Sequence, residues 1–260
     1  MKYLLFFYLI FLGLYANGQH TYQLEWRKET TIFTSASLMF AGSFYIDSKR
    51  EPLLIPAPGS ILPPINKLDR GTLDYYSPLS RTASDVLFYS LTAAPFTVLT
   101  SSKIKNDRLE YLIMYSEVIA LNGGFTFLVK SAVNRKRPYF FNEEVPLEER
   151  QNIDARKSFF SGHTSHASAL SFFTARVFSD LYPESDWRFV VWGAAGVFPA
   201  ATAYLRVRAG RHFPTDVIVG YGVGTGIGLL VPYLHRVKIN RNQSMVLSGT
   251  SNGLAFTIEF

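Results

Sequence analysis

Charge is withheld from this chain in stretches of similar length. Residues 30–46, 86–102, 189–205 and 217–234 contain no Asp, Glu, Lys or Arg; 111–129 is interrupted by Glu117, and 164–181 by Arg176 and, next to its end, Asp180. Each stretch is near the length that crosses a bilayer core, although many of their residues are Ser, Thr or Gly. The pattern predicts an all-α fold, a six-helix bundle embedded in a membrane; helices buried in a large globular core are the alternative. In "VIVGYGVGTGIGLLVPYL", Gly220, Gly224 and Gly228 recur every four residues and line one ridge of a helix, which lets a neighbouring backbone approach closely.

The connections carry their own signals. Between the first two helices, prolines at 52, 56, 58, 63 and 64 prevent regular structure, while the leucines, isoleucines and tyrosines nearby predict an ordered or interfacial loop. The tail alternates Leu254, Phe256, Ile258 and Phe260 after an Asn-Gly pair, which predicts a short C-terminal β-hairpin. At the other end, Lys2 is followed by an apolar run over 3–15 and then Ala16-Asn17-Gly18, the order of a secretory signal peptide; an uncleaved anchor is the alternative. The expected division is therefore a signal peptide (1–18), an N-terminal helix with a Pro-rich loop (19–84), a core (85–236) and a hairpin tail (237–260).

Composition narrows the chemistry. The 260 residues include no cysteine, which excludes disulfides, thiolate catalysis and cysteine zinc sites. A net charge of +6 suits an anionic partner. The position of that charge matters more than its total. "KSAVNRKRP" (130–138) falls where the third predicted helix ends, "FFSGHTS" (159–165) opens the fourth, and "LRVRAGRHFPTD" (205–216) joins the fifth to the sixth. In an up-down bundle those places share one end. Lys130, Arg137 and Arg206 then surround two histidines, His163 and His212, and one carboxylate, Asp216. Three cations so close are tolerable mainly when an anion lies among them, and guanidinium forks match phosphate oxygens. The amides at Ser161, Gly162 and His163 open a helix and add donors at its positive end. A neutral imidazole attacks phosphorus well, and Asp216, four residues after His212, is placed to orient it; His163 is left to protonate the leaving oxygen and then activate water. No metal is needed where cations already neutralise the phosphoryl oxygens.

These segments resemble the signature of the type 2 phosphatidic acid phosphatase superfamily, which also includes bacterial class A acid phosphatases and vanadium haloperoxidases. Its pattern of Lys, six residues, Arg-Pro; Pro-Ser-Gly-His; and Ser-Arg, five residues, His, three residues, Asp is matched by Lys130, Arg137-Pro138, Ser161-Gly162-His163, Arg206, His212 and Asp216. Phe160 stands where proline is usual and Leu205 where serine is usual. The resemblance covers roughly 85–235 and implies a phosphohistidine on His212, orientation by Asp216, and acid then base catalysis by His163. Lys130, Arg137, Arg206, Ser161 and the Gly162 amide would hold the phosphoryl group. The expected activity is metal-independent hydrolysis of a lipid phosphate monoester or diphosphate: phosphatidate-like, polyprenyl diphosphate or lipid A phosphate. The alternatives are a soluble acid phosphatase, a haloperoxidase with vanadate as its only cofactor, and a silent lipid-binding protein. The expected partners are a phosphorylated lipid and a membrane, with no nucleic acid and no protein partner. The expected location is the cell envelope, with the site on the extracytoplasmic face and "KIKNDR" and "HRVKINR" facing inward. Arg135, Lys136, Arg208 and Arg211 are read as potential-raising neighbours, and His166 as a packed or supporting histidine. His20 and His235 carry no signal, and Glu117 with Arg176 is read as a pair across the bundle.

Overall fold

The computed structural model describes residues 20–55 and 65–237, and the backbone of two strands beyond them. The expected signal peptide and the middle of the Pro-rich loop lie outside the described residues. Long helices form at each of the charge-poor stretches: α1 (Trp26–Ser48), α3 (Pro78–Ala93), α4 (Arg108–Val133), α7 (Gly162–Leu181), α8 (Trp187–Arg208) and α9 (Pro214–His235). Their limits follow from local chemistry. Ser77 caps α3 ahead of Pro78 by accepting from the Ser80 amide, and the Ser161 hydroxyl accepts from the Thr164 amide at the start of α7. Asn134 takes a left-handed conformation (φ 53°) that stops α4 and turns the chain towards Arg135 and Arg137.

The six-helix expectation undercounts the helices. Short helices α2 (Lys67–Arg70), α5 (Pro138–Phe141) and α6 (Leu147–Gln151) occupy the connections. The stretch over 86–102 is not one helix: α3 gives way to a 3-10 segment (Ala94–Thr100) at Pro95, because proline supplies no amide to continue the ladder. β1 (Met245–Thr250) and β2 (Gly253–Ile258) pair antiparallel.

Among the described residues, three helical segments are long and apolar enough to cross a membrane, over Lys105–Phe141, Trp187–Arg208 and Pro214–His235, rather than the expected six. At 16 residues α3 is too short, and the Ser, Thr and Gly content of α1 and α7 lowers their mean hydropathy. We read the chain as an integral membrane protein. Trp26, Trp187 and Tyr233 are exposed at one end of the bundle and Tyr45 and Tyr204 at the other, as in the aromatic belts of spanning proteins.

α7 runs through the middle and packs on α4, α8 and α9. The glycine ridge lies against it: a Cβ at Gly220, Gly224 or Gly228 would come within 2.6, 2.1 or 2.2 Å of the carbonyl oxygens of Ser161, Ser165 and Ala169. Two helices that carry site residues are thereby held backbone to backbone.

Candidate active site

The three basic motifs meet where α4 and α8 end and α7 and α9 begin. The Ser161 amide donates to the carbonyl of Asp216 (3.0 Å), and the Ser158 hydroxyl donates to Asp216 Oδ2 (2.5 Å). Arg135 Nη1 reaches Asp216 Oδ1 at 2.5 Å, while Gly162 lies close against Lys130 Cε. All eight residues singled out by spacing are therefore at one end of the bundle, and Lys130, Arg137, Ser161, Arg206, His212 and Asp216 are buried there.

Each cation is held on one side by the protein. Lys130 Nζ donates to the Lys157 carbonyl (2.5 Å). Arg137 gives Nε to the Asp154 carbonyl (2.9 Å) and Nη2 to its carboxylate (2.8 Å), leaving Nη1 buried with no hydrogen-bond partner among the described residues. Arg206 Nη1 donates to Ser84 Oγ and Asp85 Oδ1, both at 3.2 Å, and its Nε is left in the same condition as Arg137 Nη1. Buried guanidinium N–H groups without acceptors are costly, and a tetrahedral oxyanion would satisfy them.

The histidines answer to these charges. His212 is 1% exposed; burial first, then Lys130, Arg137 and Arg206, hold it well below the ordinary imidazole range. Burial and the same three cations push His163 down to about 2, a shift tempered by water because 31% of its side chain is exposed. Both rings are thus neutral near pH 7. An anion among the cations reverses the repulsive part of that effect.

The structure corrects several expectations. His212 Nδ1 is 3.6 Å from Asp216 Oδ2, too long for a hydrogen bond, and has no partner among the described residues. Asp216 is spent instead on Arg135, on Ser158 and on the Phe213 amide (2.9 Å), which it caps at the start of α9. Arg135 is more than a source of potential. It stacks on Phe213 at 4.3 Å and bridges Asp216 to Asp69 Oδ2 (2.6 Å), and both carboxylates are fully buried. The Ser161 hydroxyl serves as a helix cap and also meets Thr164 Oγ1 (3.0 Å). Lys136, Arg208 and Arg211 lie over the rings of Phe140, Tyr75 and Tyr139. His166 is a packed histidine, stacked on Phe88 with Nε2 on Thr92 (2.8 Å). Glu117 and Arg176 do not pair: Arg176 takes Asp180 from its own helix (3.0 Å), while Glu117 faces His235. His20 and His235, which carry no signal in sequence, both meet carboxylates, His20 that of Asp107 at 2.8 Å.

Three residues at the site escaped the sequence reading. Asp85 on α3 accepts from His163 Nε2 (2.9 Å) as well as from Arg206. Asp154 counterbalances Arg137. Asp69 on α2 accepts from the Thr215 amide (3.0 Å) and hydroxyl (2.7 Å), so the end of the Pro-rich loop is stitched to the start of α9. At the turn before His212, Gly210 has φ +67° and comes so close to the Tyr75 carbonyl that any Cβ would lie 2.0 Å from it.

The chain is similar to known proteins. A family model described as the PAP2 superfamily matches residues 111–240. A lipid A 4'-phosphatase of Porphyromonas gingivalis is 34% identical over 73 residues, a stretch that takes in 28% of each chain. The crystal structure of a transmembrane PAP2-type phosphatidylglycerolphosphate phosphatase from Bacillus subtilis aligns with 80% of this chain and 92% of its own, at 22% identity and a TM-score of 0.43.

Proposed function

This chain belongs to the PAP2 superfamily, and from that premise we propose that it is a phosphoric ester hydrolase that removes phosphate from a lipid at the membrane surface, through a phosphohistidine on His212. One observation carries the reading: a neutral, buried imidazole lies within the field of Lys130, Arg137 and Arg206, two of which keep buried N–H groups without acceptors.

In this mechanism the phosphoryl oxygens take Arg137 Nη1, Arg206 Nε and the Lys130 ammonium. His212 Nε2 attacks phosphorus while its Nδ1–H turns to Asp216 Oδ2, closing the 3.6 Å gap. The phosphorus–oxygen bond to the lipid breaks, and His163, which takes up a proton from solvent once the anion lies among the cations, gives that proton to the departing oxygen. Water then attacks the phosphohistidine, His163 takes a proton from it, and orthophosphate leaves as the phosphorus–nitrogen bond breaks. Asp85 favours the imidazolium form of His163, and Arg135 holds Asp216. The cations neutralise the phosphoryl charge that a metal would otherwise offset, so chelators are expected to leave the rate unchanged.

The ends of the helices favour a lipid substrate, because the site opens where exposed Tyr45 and Tyr204 mark an interface. The short stretch shared with the Porphyromonas gingivalis enzyme makes lipid A phosphates the first substrates to try, before phosphatidate-like lipids and polyprenyl diphosphates. The site is taken to face away from the cytosol, since the basic segment at 103–108 and the described residues 235–237 lie at the opposite end. The test is phosphate release from this lipid panel by purified protein. His212→Ala is expected to lose at least about a thousandfold in turnover while remaining folded. A folded His212→Ala protein that keeps its rate refutes the nucleophile.

A further inference from the structure

At the end of the bundle away from the site, three side chains from three helices converge: Glu29 on α1, Glu117 on α4 and His235 on α9. His235 and Glu117 are 0% exposed. The His235 ring is oriented by its own helix, with Nδ1 2.8 Å from the Val231 carbonyl. A carbonyl only accepts, so Nδ1 carries the proton and Nε2 of the neutral ring presents a lone pair. That lone pair faces two acceptors, Glu29 Oε1 at 3.1 Å and Glu117 Oε2 at 3.3 Å.

Such a contact is repulsive unless a proton or a metal ion lies within it. Protonating Nε2 satisfies Glu29 but leaves one imidazolium against two carboxylates. Both Glu117 oxygens and Glu29 Oε2 are buried with no hydrogen-bond partner among the described residues. An ionised carboxylate in that condition is among the most expensive groups a protein can bury. A divalent cation balances the two charges and takes up the free oxygens together.

We propose that Glu29, Glu117 and His235 form a binding site for a divalent transition cation of the zinc class. Ligands about 2.0–2.2 Å from a tetrahedral zinc are roughly 3.3–3.6 Å from one another; here His235 Nε2 is 3.1 and 3.3 Å from the two carboxylates and all three ligand atoms lie within 4.8 Å of one another, a spread that small side-chain adjustments bring to that geometry. The imidazole selects zinc over calcium or magnesium, which prefer all-oxygen shells. The Nδ1–H to carbonyl bond is the outer support that metal-bound histidines use. Three protein ligands leave the fourth position to water. The ion would join α1, α4 and α9 in a chain that has no cysteine to staple them, far from the phosphoryl chemistry.

The test uses the full chain in detergent micelles, stripped with chelator and titrated with Zn²⁺ alone and with Co²⁺ alone. One equivalent of zinc is expected to bind per chain and to raise Tm by about 5 °C or more; cobalt is expected to give the visible bands of a tetrahedral site. His235→Ala and the near-isosteric Glu117→Gln should each abolish stoichiometric binding, whereas His163→Ala should keep it. Should His235→Ala fail to fold, Glu117→Gln decides alone. No binding at micromolar zinc, or a full equivalent retained in Glu117→Gln, overturns the proposal.

Discussion

A methyl group added at Gly220 tests whether backbone contact between α7 and α9 sets the site. Its Cβ would lie 2.6 Å from the Ser161 carbonyl oxygen, where ordinary contact begins at 3.4 Å, so the helices must part by about 0.8 Å. No rotamer relieves a clash between a Cβ and a backbone atom. The separation falls one turn beyond Asp216 and beside Gly162-His163, so it moves His163 away from His212 and Asp216. A displacement of about 1 Å costs a reaction roughly a hundredfold. Overpacking of about 1–3 kcal/mol is partly offset by the gain of about 1 kcal/mol from alanine in a helix, leaving a net loss of about 0–2 kcal/mol. Gly220→Ala is therefore expected to lose rate far more than stability. At Gly228 the clash is tighter, 2.2 Å from the Ala169 carbonyl, but about 12 Å farther along the helix, so its loss should appear mainly in Tm. Gly222 and Gly226, with nothing within 4 Å of an added Cβ, are controls expected to keep the wild-type rate and to gain up to about 1 kcal/mol of stability. The assay is initial phosphate release with thermal unfolding of the same micellar samples. Wild-type rate and stability in Gly220→Ala, or equal losses in Gly222→Ala, would refute the reasoning.

Other perturbations probe the charges. Arg135→Met removes the common partner of two fully buried carboxylates; with Arg135 itself 24% exposed, a loss of about 2–4 kcal/mol is expected, and Asp69→Asn in the same background should recover part of it in a double-mutant cycle. Asp85→Asn withdraws support from protonated His163, so turnover should fall about tenfold or more and the alkaline limb of its pH profile should move to lower pH; an unmoved limb rules out that role. Because both site histidines are depressed in the folded protein, the unfolded chain binds protons first as pH falls below about 6.5; stability should then decline by up to about 1.4 kcal/mol per pH unit per histidine. Vanadate counters the cations and raises His163, so calorimetry at pH 6 in buffers of different ionisation enthalpy should show proton uptake on binding. Zero uptake between pH 5 and 7 would exclude this coupling.

The residues legible in the sequence are those whose spacing is local. Lys130 with Arg137, and Arg206 with His212 and Asp216, each flank one short turn at a helix end, and Ser161-Gly162-His163 opens a helix, so the helix pattern brings them to one level of an up-down bundle. The ridge of Gly220, Gly224 and Gly228 was legible for the same reason. The groups that hold these residues were not. Asp69 reaches Thr215 across 146 positions, Asp85 reaches Arg206 across 121, and Glu117 meets His235 from another helix altogether. Such meetings depend on helix rotation and tilt, which a hydrophobic pattern fixes only to within a face. Arg135 and Arg137 are two residues apart and chemically alike. Their different duties are decided by the left-handed turn at Asn134 and by which carboxylates other elements bring, Asp216 and Asp69 to one, Asp154 to the other. A partial signal did exist: Asp85 immediately precedes a charge-free stretch and Glu117 interrupts one. A lone carboxylate in apolar sequence must find a cation, a proton or a metal when it is buried. At Asp85 the structure supplies Arg206 and His163; at Glu117 it supplies a histidine whose proton is already committed to a carbonyl, and that difference leaves the second position to a proton or to the metal ion proposed there.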